Sequence, residues 1–61
     1  MARFSVSVND VFLDEFEGKS LTATNNGWSI RLMLTNEKDE SLVVAEFSSN
    51  YMWMITREDD E

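Results

Sequence analysis

The stretch Trp28-Ser29-Ile30-Arg31-Leu32-Met33-Leu34 alternates large apolar residues with mostly polar ones, directly after Asn26-Gly27. Successive side chains of a pleated strand leave on opposite sides, so a period of two is what a half-buried strand requires. One face carries Trp28, Ile30, Leu32 and Leu34, and the other carries Ser29, Arg31 and Met33. Asn26-Gly27 can place two residues at positive φ, as a tight type I′ hairpin turn demands. With those two as the loop, Asn25 pairs with Trp28, Ala23 with Ile30 and Leu21 with Leu32. All the apolar partners then share one face, so turn chemistry and pattern agree on the register.

Other segments follow from the same rules. Arg3 to Val8 alternates cleanly, with Phe4, Val6 and Val8 on one side and Arg3, Ser5 and Ser7 on the other, which predicts a strand with one wet face. Asn9 suits a helix N-cap, Asp10 suits a first helical turn, and Gly18 is a natural stop. Phe12 and Phe16, four apart, share a helix face, so a short helix is expected over Asp10 to Glu17. The alternative is a strand with Val11 and Leu13 inward and a bend at Gly18. After the charged loop Thr35 to Glu40, a strand is expected over Ser41 to Ser48. It would pair Leu32 with Val43, Ile30 with Ala45 and Trp28 with Phe47, leaving Arg31 diagonal to Glu46. A loop at Ser48-Ser49-Asn50 then pairs Phe47 with Tyr51, Ala45 with Trp53 and Val43 with Ile55.

The expected fold is therefore mainly β with a small α component. It is a twisted antiparallel meander, or a small partly closed barrel, of about five strands, with one short helix after the first strand. Residues 1–56 form a single small domain, and residues 57–61 an acidic tail.

A chain of 61 residues buries only about 60% of the surface it exposes when unfolded, so its stability margin is thin. Without Cys or His it has neither a disulfide nor the usual zinc ligands to compensate. Absent cysteine fits a reducing compartment, the apolar runs are too short to span a bilayer, and nothing resembles a signal peptide. A cytoplasmic protein is the expectation. Twelve acids against five bases give a net charge of −7, which argues against direct binding to nucleic acid or an anionic membrane. It favours a basic protein surface as partner.

The same charge and composition weigh on function. With no His or Cys, the common general base and thiol nucleophile are missing, and no Gly-rich phosphate loop or metal-ligand spacing is present. No enzyme activity, metal or cofactor is expected. The expected registers leave Met33, Leu42, Val44, Met52 and Met54 on a second apolar face. That face would be covered by the helix, by a partner, or by a second copy in a homodimer. The acids fall into groups: Asp10, Asp14, Glu15 and Glu17; Glu37, Asp39 and Glu40; and the C-terminal run from Glu58. As a solvated surface they only keep the chain soluble. Gathered on one side, they would imitate a nucleic-acid backbone.

Two expectations follow. The first is a small acidic binding protein that blocks a basic, nucleic-acid-processing target by occupancy, as a phage-type inhibitor or DNA mimic would. Its partner-binding residues would be Asp14, Glu15, Glu17, Glu37, Asp39, Glu40, Met33, Tyr51, Met52 and Met54. The second is an assembly module that forms a homo-oligomer through the second apolar face.

Overall fold

The structure is a computed structural model that describes residues 2–59. The chain forms β1 (Ala2–Val8), β2 (Val11–Gly18), β3 (Ser20–Asn25), β4 (Ser29–Thr35), β5 (Ser41–Ser48) and β6 (Trp53–Asp59). All neighbours pair antiparallel, in two three-stranded sheets of order β2-β1-β6 and β3-β4-β5. Among the described residues there is no helix, and hence none long and apolar enough to cross a membrane.

The expected helix is a strand, and Asn9-Asp10 explains why. Both residues adopt positive φ, 52° and 65°, and join β1 to β2 as the two-residue turn between Val8 and Val11. Asn and Asp tolerate the left-handed region better than other residues with a Cβ, and two successive positive φ values match the twist of a hairpin. The Asn9 side chain, expected to cap a helix, instead accepts the Met52 N–H at 3.0 Å. The spacing of Phe12 and Phe16 misleads because a separation of four satisfies both a helix and a strand. Even on the strand the two do not share a face. A bulge leaves Leu13 unpaired, since Val6 stands opposite Asp14 while Ser7 stands opposite Phe12. Phe16 therefore turns inward beside Phe4, and Phe12 points out beside Ser7. The alternative strand with a bend at Gly18 is what forms, though Val11 and Leu13 stay exposed.

The bend carries the chain from one sheet to the other. Gly18 is buried, and the Lys19 N–H donates to the Thr35 carbonyl at 2.7 Å, so β2 runs into β3 around a tight corner. A Cβ on Gly18 would lie 2.9 Å from both Leu34 Cδ1 and Thr35 O. Only a residue without one fits.

The β3–β4 hairpin forms with its register moved by two. Asn25 faces Ile30, Ala23 faces Leu32 and Leu21 faces Leu34. Asn26 closes the loop, donating its N–H to Ser29 O at 3.1 Å, while its Oδ1 accepts the Ser29 N–H at 2.9 Å. The central residues are thus Gly27 and Trp28, and of these only Gly27 has positive φ, +104°. A slip of two residues keeps every side chain on its face, so the core side survives; only a slip of one would have reversed it. What changes is Trp28, which leaves the strand and becomes 82% exposed at the turn.

Sheet β3-β4-β5 keeps the meander, again displaced by two, with Ile30 opposite Phe47 and Leu32 opposite Ala45. A second bulge leaves Val44 unpaired, and Val44 joins Ala45 against the core instead of pointing out with Met33. Arg31 stands directly opposite Glu46, 3.4 Å apart. The last expected hairpin does not form. Instead of returning along β5, β6 crosses to the other sheet and pairs with β1, placing Ile55 opposite Val6 and Trp53 opposite Val8. The free side of β1 offers Phe4 and Val6 to a third strand, and pairing there covers both.

The result is six strands and two facing sheets in place of one meander of about five. Val6, Ile30 and Leu32 form the buried centre, surrounded by Val8, Phe16, Leu21, Val44, Ala45, Phe47 and Ile55. β6 continues through Arg57, Glu58 and Asp59, the first three residues of the expected tail; Asp60 and Glu61 lie outside the described residues.

Candidate protein-docking end

The turn Asn9-Asp10, the turn Asn26 to Ser29 and the crossover from Ser48 to Met52 all gather at one end of the two sheets. Backbone and side-chain bonds tie them together. The Ser49 N–H donates to Trp28 O at 3.0 Å and its hydroxyl to Gly27 O at 3.1 Å. Asn9 and Met52 are doubly joined, through the side-chain bond above and an Asn9 N–H to Met52 O bond of 2.6 Å.

On this frame stand exposed apolar side chains in unusual number. Among the described residues ten large hydrophobics are exposed, and eight of them lie here: Val11, Phe12, Leu13, Trp28, Tyr51, Met52, Trp53 and Met54. The other two, Leu42 and Val43, start β5 at the far end. Phe12 and Met54 flank Ser7 on the outer face of their sheet, while Val11 and Trp53 flank Val8 on the inner face. Trp53 packs its ring toward Phe47, centroids 6.5 Å apart and planes tilted by 55°. Ser7, Asp10, Tyr51, Met52, Trp53 and Met54 line an open hollow of about 400 Å³. Exposed apolar side chains gathered at one end of a small protein mark a binding surface far more often than the same residues scattered singly.

The acids lie mostly elsewhere. Asp14, Glu15 and Glu17 run along β2, an edge strand. Glu15 accepts from the Ser5 hydroxyl at 3.3 Å, and Asp14 from the Glu15 N–H at 2.7 Å. Asn36 shapes the β4–β5 loop, its Oδ1 accepting the Lys38 and Glu40 N–H groups at 2.9 and 3.0 Å. That loop brings Glu37, Lys38 and Glu40 to a hollow of about 280 Å³ shared with Glu17, so three acids there face one base, whereas Asp39 pairs with Lys19. Arg3, Arg31 and Arg57 are likewise in ion pairs, with Glu58, Glu46 and Asp59. Asp10, Asp14, Glu15, Glu17, Glu37 and Glu40 form no ion pair among the described residues, so the acidic excess runs from Asp10 in the β1–β2 turn along β2 to the loop end.

No protein family, curated protein or solved structure matches this chain.

The sequence-derived set is thus divided by the fold. Tyr51, Met52 and Met54 sit together at the apolar end; Glu17, Glu37 and Glu40 gather at the opposite end; Asp14 and Glu15 lie between them on β2. Met33 is half-buried on the outer face of the other sheet, opposite Val43. The five residues expected to form a second apolar face do not share one, because β6 changed sheets and Val44 turned inward. Sequence reasoning missed Val11, Phe12, Leu13, Trp28 and Trp53 at the apolar end. Asn9-Asp10 between two apolar runs was the available hairpin signal. Among the described residues no group of acids is arranged to hold a metal ion.

Proposed function

We propose that this protein acts by occupancy: its apolar end enters a socket on a partner protein, the acids of β2 meet basic residues flanking that socket, and the acids of the β4–β5 loop at the far end steer the approach by charge. The observation that carries this reading is the gathering of eight exposed large hydrophobics around three mutually bonded connections. Aromatic and methionine side chains are effective anchors when a partner desolvates them, and Phe12, Trp28, Tyr51, Met52 and Met54 are of that kind. A net charge of −7 steers the encounter toward a basic surface and away from phosphate. Basic surfaces of that extent are what nucleic-acid-processing proteins present, so covering one would block access to nucleic acid.

Both tryptophans lie at the proposed docking end, so their fluorescence reports on it directly. The test is capture from a cell lysate by the wild-type protein, by Phe12→Ser/Met54→Ser, and by Glu17→Gln/Glu37→Gln/Glu40→Gln. A retained protein should then be titrated while tryptophan emission and its own nucleic-acid binding are followed. The expected result is loss of capture with the first variant and slower, less salt-dependent binding with the second. Retention equal to wild type in the Phe12/Met54 variant would overturn the proposal.

A further inference from the structure

Two three-stranded sheets have four edge strands, β2, β6, β3 and β5. An uncovered edge presents free N–H and C=O groups to any extended chain, and proteins blunt such edges with bulges, charges and inward-pointing charged residues. Three of these edges carry such devices. β2 has the Leu13 bulge, three acids, and Asp14 at a core-side position opposite Val6. β6 ends in Arg57, Glu58 and Asp59, with Arg57 on the core side at 5.6 Å from the Phe4 ring. β5 has the Val44 bulge and Glu46. β3, Ser-Leu-Thr-Ala-Thr-Asn, has none of them: its pairing with β4 is regular, and no charged residue occurs from Ser20 through Ile30.

We infer that β3 is the self-association edge, pairing antiparallel with β3 of a second copy to make one continuous six-stranded sheet. The occupant follows from charge. Two copies of a chain at −7 repel, and opposing β2 edges would set acid against acid, whereas β3 against β3 brings no charge of that strand to the contact. The hydrogen bonding follows from the hairpin. The bond between Asn26 and Ser29 sets the alternation, so Ser20, Thr22 and Thr24 bond to β4 while Leu21, Ala23 and Asn25 direct their N–H and C=O groups away from it. Centring the two-fold axis on Thr22 sets Leu21 opposite Ala23 of the second copy and Ser20 opposite its Thr24. Four backbone bonds form, and each threonine or serine hydroxyl faces another. Centring on Ala23 would set Leu21 opposite Asn25, whose Oδ1 already accepts the Gly27 N–H at 2.9 Å.

This inference is independent of the docking proposal, because β3 contributes nothing to the apolar end. Sedimentation equilibrium and amide hydrogen exchange on the wild type, Ala23→Pro, Thr22→Lys and Met54→Ser test it. Proline at Ala23 removes an N–H that β4 does not use, so the fold should keep its wild-type circular dichroism. The wild type should dimerise, with the Leu21 and Ala23 amides gaining exchange protection as concentration rises. Ala23→Pro should weaken self-association by about 10- to 100-fold, since two of four strand bonds are lost by symmetry. Thr22→Lys should weaken it comparably, and Met54→Ser should leave it unchanged. A wild type that stays monomeric at millimolar concentration overturns the inference, as does a dimer that survives Ala23→Pro and is lost in Met54→Ser. Partner capture should be unaffected in Ala23→Pro, so failure of one proposal does not pass for failure of the other.

Discussion

Replacing Gly18 by alanine isolates one demand of the fold, that no side chain stand where β2 turns into β3. Gly→Ala at an unstrained site usually stabilises by ~0.4–1 kcal/mol, by restricting the unfolded chain. Here the new methyl would sit 2.9 Å from Leu34 Cδ1, 3.2 Å from Leu34 Cγ and 2.9 Å from Thr35 O. Leu34 can rotate aside at the expense of its own packing. The Thr35 carbonyl cannot retreat so easily, because it accepts the Lys19 N–H at 2.7 Å and holds the corner together. Overpacking of this kind costs ~1–3 kcal/mol, so the net loss should be about 1–2 kcal/mol once the entropic gain is subtracted. For a domain this small each kcal/mol moves Tm by roughly 4–8 °C, giving a fall of about 5–15 °C in thermal circular dichroism. Leu34→Ala/Gly18→Ala should show positive coupling, with Gly18→Ala costing less when Leu34 is already truncated but still costing something against Thr35 O. A Gly18→Ala protein as stable as the wild type would refute the corner as described.

Asp10→Gly should raise Tm by a few degrees, about 0.5 kcal/mol, because glycine enters the left-handed region more easily than aspartate at φ 65°, whereas Asp10→Val should lower it. Leu32→Ala should unfold the protein at room temperature, since deleting a fully buried leucine costs ~2–5 kcal/mol, while Trp28→Ala should leave stability within about 0.5 kcal/mol in urea titrations. Raising salt from 0.05 to 0.5 M should shift Tm little through the Lys19–Asp39 and Arg31–Glu46 pairs, whose partners are all substantially exposed, because such pairs contribute at most about 1 kcal/mol.

Much of the core was legible in the sequence because strand period fixes faces even where register is wrong. Ile30, Leu32, Val6, Phe4 and Ala45 all turn inward as the alternation requires, although the β3–β4 hairpin is displaced by two residues and the β4–β5 hairpin by two before its bulge and by one after it. Three things lay beyond that logic. The choice of turn at residues 26–29 depends on Asn26 using its own side chain to close the loop, a detail the Asn-Gly pair does not reveal. Bulges at Leu13 and Val44 each reverse the alternation partway along a strand, which separated Phe12 from Phe16 and drew Val44 inward. The partner of β6 is a tertiary choice between two available edges, and a local loop pattern favoured the nearer one. For the candidate site, Tyr51, Met52 and Met54 can be named from sequence, whereas Trp28 alternates in phase with Ile30 and Leu32, a pattern that puts a large aromatic on the core face rather than at an exposed turn.

The pairing of β6 with β1 also has a kinetic consequence. Every other strand contact can form across a short connection, but Val6 and Ile55 must meet across about fifty residues of chain. Closing a loop ten times longer costs about 2 kcal/mol more in chain entropy, so this closure should come last and set the folding rate. Until it happens, the sheet containing β1 is a bare two-stranded ribbon, and Phe4 and Val6 lack their cover. Trp53, Met54 and Ile55 therefore belong both to the slow step of folding and to the strand that carries the apolar end. Changes made there to tune binding will alter how long each new chain spends with its interior open.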